Sequence, residues 1–201
     1  MARLRSLAER LSEHRRIIRR RWRRLLAKSW LLSRFHYRWH GHVLAGRPSD
    51  LVWYLAYGSN MHHSAFRERR GIKPTEWRVG RVTGYRLRFN LEGRPVGKAA
   101  PANICPDPDC EVWGVLYQIT RRELLHLDFT EGVPGRHYRH VWVTAEDTNG
   151  DIVNAVAYMA LGKDTDGNPS FRYISLLRDG ARLHGLPETW IQYLDSIRHV
   201  E

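Results

Sequence analysis

Cysteine is nearly absent from this 201-residue chain: only Cys105 and Cys110 occur, within Cys-Pro-Asp-Pro-Asp-Cys. Two cysteines cannot staple a chain of this size, so a disulfide scaffold is excluded and a reducing, cytoplasmic compartment is expected. Long apolar runs are missing as well. Nothing approaches the roughly 18–20 residues that span a bilayer. No apolar stretch among residues 1–50 exceeds three, as in Trp30-Leu31-Leu32, too few for a signal-peptide core of about 7–15 residues. Grouped metal ligands are also scarce. His62-His63 and His137 with His140 lack the spacing of a zinc site, so no metal is expected. Acidic residues are short in one place only. Residues 1–50 hold 14 Lys+Arg against Glu9, Glu13 and Asp50, whereas residues 51–201 hold 19 basic groups against 18 acids. The net charge of +12 therefore belongs almost wholly to an N-terminal arm, and the rest is a nearly neutral domain.

Glycine and proline are missing from residues 1–40 too, and good helix formers fill the space. Leu4, Leu7, Leu11, Ile18, Trp22 and Leu25 recur at helical spacing, which predicts a basic amphipathic helix from Leu4 to about Trp30 with its arginines on the other side. Gly46-Arg47-Pro48-Ser49-Asp50 then reads as a linker, so the domains are 1–50 and 51–201. Three partners suit the arm. An anionic membrane surface would take the apolar stripe and the arginines of residues 1–40 together, giving a peripheral location. The plainest reading packs the stripe on the domain or on a second copy of the chain, as a homodimer. Nucleic acid stands behind both, because no base-reading module accompanies the arginines. An Arg-rich organelle presequence fits the composition but not the few serines.

From residue 51 onward the pattern turns β-rich. Strands are predicted over Leu51–Ala56, Arg78–Val82, Tyr85–Phe89, Glu111–Ile119, His137–Thr144 and Ile152–Ala160, the last two joined by a hairpin at Asp147-Thr148-Asn149-Gly150-Asp151. Thr120 caps a short helix over Arg121–Leu127, and two more helices, Ser170–His184 and Pro187–His199, are split by Gly185. Strands first and helices last predict an α+β domain on a twisted or barrel-like mixed sheet with peripheral helices.

Two short segments carry chemistry. Tyr57-Gly58-Ser59-Asn60 follows a strand, and its glycine lets the backbone turn tightly and offer N–H groups to an anion. Leu127-Asp128-Phe129-Thr130-Glu131-Gly132-Val133 places the Glu131 carboxylate in a loop between helix and strand. Taken singly, the first reads as an ordinary turn with an Asn cap and the second as a solvated charge.

Together they resemble the γ-glutamylcyclotransferase family. Tyr-Leu-Ala-Tyr-Gly-Ser-Asn-Met at 54–61 is similar to its opening signature, and Glu-Val-Trp-Gly-Val-Leu-Tyr at 111–117 to its central strand. Leu-Asp-x-x-Glu-Gly-Val at 127–133 resembles the segment bearing the catalytic glutamate, and Pro169–Ile174 with Gly180-Ala181 and Gly185-Leu186-Pro187 the C-terminal helices. The four motifs follow the family's order and cover essentially all of 51–201; the arm has no counterpart. The resemblance implies cyclisation of a γ-glutamyl amide to 5-oxoproline, the substrate's α-amine displacing an amino acid or amine. It assigns Glu131 as acid/base and puts Tyr54, Leu55, Ala56, Tyr57, Gly58, Ser59, Asn60 and Tyr173 around the γ-glutamyl group. No cofactor is expected, since nucleophile and electrophile arrive in one molecule. Tyr138, close to Glu131 in sequence, reads either as a group that orients it or as a plain strand aromatic, and stays outside that set. The rival readings are a γ-glutamyl-amine or γ-glutamyl-tagged biosynthetic intermediate as substrate, or a tethered binding module without catalysis.

Overall fold

The alternating pattern of the domain becomes five strands that close on themselves. In the computed structural model, which describes residues 46–93 and 99–201, these are β1 (Leu51–Ala56), β2 (Glu76–Arg88), β3 (Asn103–Thr120), β4 (Arg139–Asp147) and β5 (Ile152–Met159). They form a closed barrel in the order β1-β3-β2-β4-β5. Short β1 makes the closure: it runs antiparallel to β3 and parallel to β5, with Trp53 opposite Ala155 and Tyr54 opposite Val156. A closed sheet leaves no free edge, and the C-terminal half of β1, Tyr54, Leu55 and Ala56, is buried. The arm helix expected over Leu4–Trp30, with every reading attached to it, lies outside the described residues. Among those residues no helix is long and apolar enough to cross a membrane.

Several boundaries differ from the sequence expectation, each for a local reason. The two runs expected at 78–82 and 85–89 are one strand, because Gly84 (φ 79°) sits at a register shift rather than at a turn. Thr83 faces Glu111 while Tyr85 faces Pro106, which leaves Asp107–Cys110 without a partner on β2. That bulge accommodates Pro108, and the N-terminal part of β3, from Asn103, is held by pairing with the far end of β2. The expected linker Gly46–Asp50 is packed on the next helix instead. Arg121 N–H donates to the Asp50 carbonyl (2.9 Å) and Arg122 N–H to that of Pro48 (3.0 Å), which satisfies two donors left over at a helix start.

That helix is α1 (Arg121–Glu131). Thr120 and Glu123 form a reciprocal capping box at its start, and Gly132, left-handed at φ 75°, ends it. The helix runs a turn beyond the expected Leu127, so Glu131 is its last residue and not part of a loop. Leu124, Leu125 and Leu127 bury one face against the barrel. Two further helices, α2 (Phe171–His184) and α3 (Glu188–Ser196), follow. On α2, Gly180 lets the chain at Met61 come so close that a Cβ there would lie 2.8 Å from the Met61 Cβ. The turn after β1 is therefore pressed between barrel and helix.

Gly114 of β3, opposite Gly80 of β2, sits hard against β1. A Cβ on Gly114 would stand 2.4 Å from the Ala56 carbonyl oxygen. Gly114→Ala is expected to lower stability by about 1–3 kcal/mol, read as a fall in the thermal unfolding midpoint, because the contact is with backbone and β1 cannot move aside. An unchanged midpoint would show that β1 has room to retreat.

Candidate active site

One end of the barrel collects the residues singled out by sequence. β1 brings Tyr54 to this end, followed by Tyr57, and the chain turns at Gly58 into a 3₁₀ turn, Ser59–Met61. A short π-helical segment, Ser64–Arg69, then leads to Arg70. The C-terminus of α1 delivers Glu131 and the first turn of α2 delivers Tyr173. Tyr54, Tyr57, Gly58, Ser59, Asn60, Glu131 and Tyr173 line one cleft, with Ala102, Tyr138 and Tyr158 completing it. Leu55 and Ala56 of the expected set do not line it. Strand alternation turns Leu55 to the opposite side from Tyr54, and Ala56 has no side chain long enough to reach in; both are fully buried.

Glu131 is held by two neighbours on a single oxygen. Arg70 Nη2 lies 2.8 Å from Oε1 and Asn60 Nδ2 donates to the same Oε1 at 3.2 Å. The guanidinium also fixes Asn60, since Arg70 Nε donates to Asn60 Oδ1 (2.7 Å), and its Nη1 reaches the Thr130 hydroxyl. Asn60 Nδ2 approaches the Tyr54 hydroxyl at 2.7 Å as well. Both partners of the ion pair are mostly buried, at 16% and 17% side-chain exposure, which places this pair above the near-zero value of an ordinary surface bridge. No described side chain engages Glu131 Oε2, so one carboxylate oxygen is anchored and the other is open to chemistry.

The phenols around this carboxylate are neutral. Burial pushes the Tyr54, Tyr57, Tyr138, Tyr158 and Tyr173 hydroxyls above the usual phenol range, and the nearby Glu131 charge pushes each the same way. They are hydrogen-bond donors and acceptors at physiological pH, not bases. Tyr138 donates to the Ala102 carbonyl (2.7 Å), and Ala102 N–H donates to the Tyr173 hydroxyl (3.2 Å). A Cβ at Gly58 would come 3.2 Å from that same hydroxyl, so glycine is what lets the turn meet Tyr173.

Behind the cleft lies a second polar layer. Asp128, one turn before Glu131 on α1 and fully buried, accepts from the Tyr158 hydroxyl at 2.7 Å and contacts His140 Nε2. Tyr57 donates to the Tyr158 carbonyl. The layer ties α1 to β4 and β5, which holds the helix end that carries Glu131. Among the described residues no cluster of His, Cys, Asp or Glu is arranged to hold a metal ion.

Arg70 is the member that sequence reasoning missed. It sits in Arg67-Glu68-Arg69-Arg70, which reads as a charged surface, and only the turn geometry shows that Arg70 alone faces inward. Tyr158, Tyr138 and Ala102 were legible only as strand or core residues. The signal for Tyr158 is its register: it faces His140 across β4 and β5, so the two side chains share a face.

The AIG2-like family pattern matches residues 111–194. A γ-glutamyl cyclotransferase (aclK) of Aspergillus oryzae is 30% identical over 170 residues, 74% of this chain but 61% of that protein's length. The γ-glutamylcyclotransferase of Bos taurus is 30% identical over 163 residues, which span 77% of this chain and 82% of the bovine protein. A solved structure of a γ-glutamyl cyclotransferase superposes with a TM-score of 0.69 at 25% identity, over 76% of this chain and 90% of that one. Likeness of that extent, in sequence and through the strands and helices that build the cleft, makes this chain a member of the γ-glutamylcyclotransferase family of enzymes.

Proposed function

We infer that the chain cyclises a γ-glutamyl amide to 5-oxoproline, releasing an amine or amino acid. The observation that supports this reading most is Glu131: a carboxylate in a cleft of neutral phenols, with one oxygen anchored by Arg70 and Asn60 and the other unengaged. The substrate's α-amine arrives as an ammonium and must lose a proton before it can attack. Glu131 Oε2 takes that proton, and the α-nitrogen then adds to the δ-carbonyl to form a five-membered tetrahedral intermediate. As the C–N bond to the leaving group breaks, Glu131 returns that proton to the departing nitrogen; the ring nitrogen gives up its second proton through the same carboxylate to the released amine, which departs as an ammonium, so protons balance and the enzyme ends as it began.

The other groups hold the substrate in its folded conformer. Donors of the Gly58–Asn60 turn and the Tyr173 hydroxyl serve the oxygens of the γ-glutamyl group. Ring closure needs the α-nitrogen over the δ-carbon, and a narrow cleft between barrel and helix enforces that shape. Holding it converts a floppy chain into a near-attack conformer.

Glu131→Gln is expected to fold normally and to lose about 10²–10⁴ of kcat in a 5-oxoproline assay, because the amide keeps the shape but cannot shuttle a proton. Glu131→Asp withdraws the carboxylate by one methylene and should be impaired too. Retained turnover in the Gln variant would remove the assignment. Arg70→Lys keeps a positive charge but cannot bridge Asn60, Thr130 and Glu131 at once, and kcat is expected to fall about tenfold or more with circular dichroism unaltered. Tyr173→Phe should raise KM more than it lowers kcat; a normal KM would show that the hydroxyl makes no contribution to binding.

A further inference from the structure

The cleft at Glu131 is small, about 40 Å³, and a much larger space adjoins it. That second cavity measures about 780 Å³ and also has Tyr138 in its lining. Val133, two residues past Glu131, lies in its lining as well. Because Tyr138 lines both spaces and Val133 is two residues from Glu131, a leaving group that extends past Tyr138 from Glu131 would enter this space. The volume falls within the range of about 300–1,000 Å³ typical of small-molecule sites and leaves room for more than one amino-acid residue.

The lining is of two kinds. Ile104, Val133 and Met159 are buried and apolar, and Leu161 at the lip is fully exposed. The charged part is mostly basic: Arg88, Arg136, Arg139 and Lys163 against Asp164. Arg88 is paired with Asp166 (3.0 Å) and Lys163 with Glu92 (3.2 Å). Arg136 and Arg139 have no ion pair among the described residues, and both are exposed.

The wall that carries Arg136 is built rather than slack. Gly135 N–H and His137 N–H both donate to the Gly132 carbonyl (2.9 and 3.1 Å), and Arg136 N–H donates to Val133 (2.9 Å). Arg136 has φ 54°, the only left-handed non-glycine residue among those described. An arginine is kept where glycine would be easier. The opposite wall is pinned by a buried asparagine pair. Asn103 Nδ2 donates to Asn90 Oδ1 (3.0 Å) and to the Ala160 carbonyl (3.0 Å), while Asn90 Nδ2 donates to that of Lys163 (3.0 Å).

We propose that this cavity is the leaving-group site, and that it selects γ-glutamyl amides whose leaving amine is longer than one residue, apolar in its body and ended by a carboxylate that Arg136 and Arg139 bind. The proposal rests on the cyclisation reading above and adds the substrate class.

The test compares two substrates alike in size, γ-glutamyl-phenylalanyl-leucine and its C-terminal carboxamide, which differ only in the terminal charge. Arg136→Gly suits the left-handed backbone and removes the guanidinium, and Arg139→Gln removes the second. The wild type should prefer the carboxylate in kcat/KM, and the preference should shrink with added salt. In the double variant the carboxylate-to-carboxamide ratio should fall about tenfold, mainly through KM. Titration of both compounds into the Glu131→Gln protein separates the two readings. Turnover with a ratio unmoved by either arginine overturns the leaving-group site and keeps the cyclisation. Arginine-dependent binding of the carboxylate, with no 5-oxoproline from the wild type, keeps the site and overturns the cyclisation.

Discussion

Strand β1 is short, and everything in the site hangs from it. It pairs antiparallel with β3 on one side and parallel with β5 on the other, and this double pairing closes the barrel. A strand saturated on both edges cannot slide, because a one-residue slip would turn its buried side chains outward. The turn that follows therefore leaves the barrel at a fixed place and angle. Gly180 on α2 closes over that turn at Met61, and Gly58 meets the Tyr173 hydroxyl. Two close approaches, the tighter at Gly180, press on the Gly58–Asn60 backbone from either side.

The Glu131 carboxylate reaches the same place from the other direction. α1 starts from a strong cap at Thr120 and a docked Gly46–Asp50 segment, and ends at left-handed Gly132. Its last turn is fixed from behind by Asp128, which Tyr158 and His140 hold to β5 and β4. Arg70 then connects the two halves, since one guanidinium touches Asn60 of the first and Thr130 and Glu131 of the second. An arginine suits this junction because its planar fork can satisfy several acceptors without losing its charge. The cleft is thus held from both sides and ringed by phenols, and a wider, more basic cavity also has Tyr138 in its lining.

Much of the fold was legible along the chain. Period-two alternation marked the hairpin at Asp147–Asp151 and both of its strands, and Thr120 and Gly185 signalled helix ends through the side chain or its lack. Boundaries failed where partners distant in sequence decided them. The strand expected from Glu111 begins at Asn103 instead, its first part held by β2 across a bulge. Glu131 read as a loop residue because nothing in its own segment reveals how far a capped helix continues.

The sequence by itself determined the local chemistry: a glycine turn after an apolar strand, a carboxylate before a glycine, and a charge excess confined to residues 1–50. Those features depend on residue type and near neighbours, which a linear reading contains. Only the tertiary structure decided which of three nearby arginines faces the carboxylate, which of Tyr54, Leu55 and Ala56 reaches the cleft, and that a cavity lies beyond it. These depend on contacts between residues such as Arg70 and Glu131, sixty-one positions apart in the chain. Burial is a property of the closed barrel, and no segment of the chain has it alone.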